Sequence, residues 1–160
     1  MRRPRDDTPG IEALFAELEG VYRDADALFA GWTCPASTEC CRFGITGLEP
    51  YVTSIEFALV QRAVARNGGP LQAARRALPL DGNQGLQERR CPMLDASGRC
   101  SVYAARPFGC RTFFCARAIE ARKVPHKRVL ELVRRIEQIA ARHVDGGDQP
   151  HRFGKLLERG

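Results

Sequence analysis

No stretch of this sequence reaches the roughly 20 apolar residues that a membrane-crossing helix needs, because charged residues interrupt every hydrophobic segment. The opening "MRRPRDDTPGIEALF" starts basic, turns acidic and then becomes helically periodic. It has neither the apolar run nor the small-residue cleavage site of a signal peptide, so the chain reads as a soluble, cytoplasmic protein with no membrane role. Histidine is scarce, with three in 160 residues, and none lies near a cysteine. There is no H-E-x-x-H metal motif, no G-x-S-x-G elbow and no glycine-rich phosphate loop behind a strand, so the usual hydrolase and nucleotide-binding signatures are missing. Only three of the 25 basic residues are lysine, and none of the basic residues form a block longer than three. The net charge of +6 is therefore spread along the chain. It gives a nucleic-acid partner little support, and a protein partner is the stronger expectation.

What the chain does have is seven cysteines in two groups. Cys34, Cys40 and Cys41 lie in "CPASTECC"; Cys91, Cys100, Cys110 and Cys115 lie in "CPMLDASGRCSVYAARPFGCRTFFC". In a reducing compartment clustered thiols serve metal or redox chemistry more often than disulfides, and an odd number cannot pair completely. A single cysteine is most simply a small buried hydrophobe. Seven in two Gly- and Pro-rich segments without a regular apolar period point to ligands, since loops can aim several sulfurs at one centre and metal binding offsets their ordering entropy. Cys40 and Cys41 are adjacent, so both approach one centre only from a turn or a helix start.

Helical periodicity surrounds these segments. Thr8-Pro9 followed by Ile11, Leu14, Phe15, Leu18, Tyr22, Ala25, Leu28 and Phe29 predicts a helix from about residue 9 to 30, and Cys34 to Pro50 reads as a loop. The capping-box spacing of Thr53 and Glu56 starts a second helix ending near Gly68-Gly69, and "PLQAARRAL" predicts a short third. Val129, Leu132, Val133, Ile136, Ile139, Ala140 and His143 share one face of a C-terminal helix at about 126–144, with 145–160 expected as a flexible tail. His143 reads as a continuation of that apolar face, and His126 as a residue near the helix start; neither reads as a ligand. The expected architecture is mainly α: a small single-domain helical fold, residues 1–160, with two irregular cysteine-rich loop segments joined at a metal site within about 30–118.

The metal is open between two classes. The C-x2-C knuckles of structural zinc are missing, the spacings being C-x5-C-C and C-x8-C-x9-C-x4-C. Iron–sulfur clusters tolerate wider spacing and take thiolates. Arg106 and Arg111, inside the dense segment, are placed to donate to sulfurs or to offset a tetrathiolate's charge. Tyr103, Phe108, Phe113 and Phe114 are either a shield for the metal or ordinary core.

The run Cys91-Pro92, Leu94-Asp95, Gly98, Cys100, Tyr103, Arg106-Pro107, Cys110-Arg111 and Phe113, preceded by "CPASTECC", resembles the YkgJ-type cysteine-cluster family, also described as the CxxCxxCC or zinc- or iron-chelating domain, over roughly residues 30 to 118. The chain departs from that pattern at the front, where only Cys34 precedes the double cysteine. The resemblance implies a bound metal, zinc or an iron–sulfur cluster, and no settled activity. A related cysteine pattern occurs in flagellin lysine methylases, where an iron–sulfur cluster accompanies the enzyme. Three functional expectations follow: an iron–sulfur protein, most simply 4Fe–4S, in a redox or accessory role; a zinc-stabilised interaction or nucleic-acid-binding module; and a lysine methylase-like enzyme.

Overall fold

The computed structural model describes residues 10–32, 39–69, 90–95, 97–112, 124–144 and 148–153. The helix expected in "PLQAARRAL" and the residues Cys34, Phe113, Phe114 and Cys115 lie outside them.

The chain is mainly helical, as expected. Helix α1 (Ile11–Leu28) buries Leu14, Phe15, Leu18, Val21, Tyr22 and Ala25 along one stripe, the positions its 3.6-residue period places together. Helix α3 (Ser54–Arg66) contributes Ile55 and Leu59 to the same core. Helix α5 (His126–His143) adds Leu132, Ile136, Ile139 and Ala140, the face its sequence pattern marks. Burying each large aliphatic side chain contributes about 1.5–3 kcal/mol, so these three helices form the stable frame. The rim of α1 and α5 is tied by Arg135 to Asp24 at 2.6 Å and by Arg142 to Glu17. Exposed pairs of this kind add little, about 0–1 kcal/mol each.

Between these helices the backbone is shorter and less regular. A 3₁₀ turn (Glu39–Cys41) leads into α2 (Phe43–Thr46), whose end at Gly47 has a left-handed φ of 66°. These turns fall in the stretch expected as a loop; each is too brief to leave a periodic apolar signature. Strand β1 (Tyr51–Val52) follows, and a second 3₁₀ turn (Tyr103–Ala105) precedes α4 (Phe108–Thr112). Gly109 sits where an added Cβ would come within 2.8 Å of the Pro50 Cβ, so α4 packs directly on the chain entering β1.

The C-terminal stretch requires a correction to the expected tail. Residues 148–153 are docked: β2 (His151–Arg152) pairs antiparallel with β1, Tyr51 opposite Arg152 and Val52 opposite His151. The Phe153 N–H donates to the Pro50 carbonyl at 2.9 Å, and its ring is 1% exposed. Two-residue strands carry no alternating pattern, so only the partner strand and the pocket for Phe153 reveal this segment. Phe153 belongs to a second core with Phe43, Val52, Val60, Met93, Val102 and Cys91. That second core is the wall of the cysteine region. Among the described residues no helix is long and apolar enough to cross a membrane.

Candidate metal centre

The vicinal pair Cys40-Cys41 ends the first 3₁₀ turn, a geometry that lets adjacent side chains approach one another, and their Sγ atoms are 3.9 Å apart. The second cysteine segment begins directly beside them. The N–H of Cys91 donates to the carbonyl of Cys41 at 2.7 Å, and Arg42 and Arg90 form an antiparallel bridge. Two segments separated by about fifty positions thus run side by side.

From Cys91 the chain folds back on itself. Leu94 bridges Cys100, and the Ser101 N–H donates to the Met93 carbonyl at 2.8 Å. The turn is held by Asp95, whose carboxylate accepts from the Ser97 hydroxyl at 2.6 Å, the Ser97 N–H at 2.8 Å and the Arg99 N–H at 2.9 Å. Those donors, the Ser97 side chain first, hold the Asp95 carboxyl below the usual carboxylate range. Gly98, at φ 76°, occupies a left-handed position that favours glycine. Asp95 and Gly98 are therefore turn-makers that bring Cys100 back alongside the Cys91 segment, not ligands. Beyond Cys100 the second 3₁₀ turn and Pro107 lead into α4, which carries Cys110.

Two buried charges fix that last piece to the helical frame. Glu56, 3% exposed, accepts from the Thr53 N–H at 2.9 Å and the Thr53 hydroxyl at 3.0 Å, its share of the expected capping box. Its other oxygen accepts from the Phe108 N–H at 2.9 Å and from the Tyr22 hydroxyl at 3.1 Å. One carboxylate thereby joins α1, α3 and the start of α4. Burial pushes its pKa up while those donors pull it down. Its sequence signal, spacing from Thr53, reveals the cap but not the long-range bonds.

Arg111 is 6% exposed. Its Nε donates to the Arg106 carbonyl at 3.0 Å, its Nη1 to Asp26 at 2.6 Å and its Nη2 to the Ala104 carbonyl, while the guanidinium lies 4.2 Å above the Tyr22 ring. Among the described residues it donates to carbonyls and a carboxylate and to no sulfur. Arg106 lies 4.0 Å above the Tyr103 ring and 3.7 Å from Asp26, and its buried Nε has no hydrogen-bond partner among the described residues. Phe108 is core, whereas Tyr103 is 59% exposed.

The five described thiols share one electrostatic neighbourhood. Burial pushes the Cys91 thiol up to about 12, with Cys100 and Cys40 adding to the rise. Burial also raises Cys110, with Cys91, Cys100 and Cys40 reinforcing it and Arg106 opposing. Cys41 is raised by its contact with Cys40 and by burial, then by Cys91 and Cys110. Cys100 is raised by burial, against which Arg106 acts. Every neighbouring thiolate makes the next harder to form, and a bound cation reverses that penalty. Among the described residues no three Cys, His, Asp or Glu side chains already stand at distances that hold a single ion. The donor set is nonetheless sulfur from both segments, with an unpartnered guanidinium N–H beside it, and these residues fit a thiophilic metal. His126 is exposed at the start of α5, and the His143 Nδ1 lies 2.7 Å from the Ser54 Oγ.

A helical scaffold that brings thiols of two distant segments side by side is that of the cysteine-cluster, metal-binding class. Residues 33–130 match the model of the CxxCxxCC family, described as "Putative zinc- or iron-chelating domain", and the chain belongs to that family. Searches of curated proteins and of solved structures gave no match.

Proposed function

We propose that this chain is a cytoplasmic iron–sulfur protein, of the 4Fe–4S kind, serving a redox or accessory role beside a modifying enzyme that it meets as a protein partner. The observation that carries this reading is the bond from the Cys91 N–H to the Cys41 carbonyl at 2.7 Å, which sets the two thiol segments side by side. Cys40, Cys41, Cys91, Cys100 and Cys110 are the described donors, and Cys34 and Cys115 complete the set of seven. The donors are wholly sulfur and lack the close-spaced knuckles of structural zinc, and such spacing suits an iron–sulfur cluster. When bound, such a cluster supplies one-electron exchange. The chain's own contribution is to aim the sulfurs, to place Arg106 where its charge favours the thiolates of Cys100 and Cys110, and to exclude water with Phe43, Met93 and Phe153.

One observation favours a second reading. Two sulfurs on one tetrahedral zinc, each at about 2.3 Å, are roughly 3.8 Å apart. The Cys40 and Cys41 sulfurs, at 3.9 Å, match that separation. In this reading zinc organises the loops, and α5 presents its basic face to a partner. Anaerobic purification followed by metal and acid-labile sulfide analysis separates the two. Coloured protein with iron and sulfide in equal amounts is expected; colourless protein with stoichiometric zinc and no sulfide overturns the iron–sulfur reading.

A further inference from the structure

A cleft of about 600 Å³ opens between α1, α3 and the turn after Cys100, and Cys100 itself lines it. Its volume lies within the range of small-molecule sites. Four arginines line it, Arg23, Arg62, Arg66 and Arg111, against two carboxylates, Glu19 and Asp26. Both carboxylates are already committed. Glu19 accepts from Arg62 at 2.8 Å, and Asp26 accepts from Arg111 at 2.6 Å. Arg62 is further held by Glu12 at 2.7 Å and by the Phe15 ring, and Arg111 by backbone carbonyls. Arg23 on α1 and Arg66 on α3 are exposed and make no ion pair among the described residues. The cleft is therefore lined by two guanidinium groups without an ion-pair partner among the described residues, one on α1 and one on α3, and by a thiol of the candidate metal centre.

We infer that this cleft binds a small multivalent oxyanion, a polycarboxylate or a phosphate compound, gripped by Arg23 and Arg66 and held beside Cys100. Guanidinium forks match carboxylate and phosphate oxygens in pairs, and two forks from two helices lining one cleft favour a ligand with more than one anionic group. The site deepens the proposed metal-binding function by supplying it with a ligand class, yet anion binding itself needs no metal.

Calorimetric titration of the full chain with citrate and with pyrophosphate tests it, in the metal-loaded and the metal-free protein. Saturable one-to-one binding of at least one probe is expected. Citrate alone identifies a polycarboxylate site, and pyrophosphate alone a phosphate site. The double variant Arg23→Ala/Arg66→Ala should bind at least tenfold more weakly with unchanged metal content. The double variant Arg128→Ala/Arg134→Ala, which removes the same charge from α5 outside the cleft, should stay within twofold. In the metal-free protein the bound anion should slow alkylation of Cys100 severalfold. Absence of saturable binding, equal loss in both double variants, or unaltered Cys100 alkylation overturns the inference. A protein that binds the anion but never a metal would uphold the cleft and refute the metal reading, so the two failures are distinguishable.

Discussion

The Cys91 N–H points at the Cys41 carbonyl from 2.7 Å, and this one bond joins two cysteine segments that a helix of thirteen residues separates in the chain. Around it the described thiols are buried or half-buried, and burial together with neighbouring thiols raises Cys41, Cys91, Cys100 and Cys110. Such a site is stable without metal only while its protons stay on.

Replacing Cys110 by Ser tests the donor role at the best-anchored thiol, because α4 is tied to the frame through Phe108 and Glu56. The variant should retain less than half of the parent's metal by elemental analysis. Its melting temperature should fall markedly, since metal binding in sites of this kind is folding free energy of order 10 kcal/mol. Unaltered metal content would remove Cys110 from the donors.

The metal-free protein should lose stability in alkali. Below pH 9 the Cys91 thiol is protonated whether the chain is folded or not; between 9.0 and about 12 the unfolded chain releases the proton while the folded chain keeps it. Stability is thus complete below about pH 9 and declines as pH rises through that window, with Cys41, Cys100 and Cys110 acting in the same direction. Thermal unfolding of metal-free protein from pH 7 to 11 should show the decline, and Cys91→Ala should flatten part of it. Metal loading runs the other way, tightening with pH because ligation displaces protons.

Glu56→Gln keeps the side chain's shape but replaces one acceptor oxygen with an NH₂ among four donors, from Thr53, Phe108 and Tyr22. A buried donor facing donors should cost about 2–4 kcal/mol, measured by urea unfolding. A loss under about 0.5 kcal/mol, typical of a surface change, would show that Glu56 does not hold α4 to the frame.

Phe153→Ala should cost about 3–5 kcal/mol, the usual loss for a fully buried ring. The same variant should release metal to a chelator faster than Leu18→Ala, which removes an equally buried side chain from the other core. Equal release rates in the two variants would reduce Phe153 to ordinary packing.

Read from residues alone, the chain already shows the three long helices, because α1, α3 and α5 each present an apolar face at helical period and α3 begins at a capping box. It also shows that the thiols form two groups. Periodicity is a local property, and these features need no knowledge of what lies across the fold. The rest is set by contacts between distant positions. The antiparallel meeting of Cys41 with Cys91, the role of Glu56 as a bond between three helices, the commitment of Arg111 to Asp26 and two carbonyls, and the docking of Phe153 each depend on a partner 34 or more residues away, or on a burial that no short window encodes. Two-residue strands and single hydrogen bonds leave no pattern along the chain, so tertiary packing alone decided how the two cysteine segments come side by side and what packs against them.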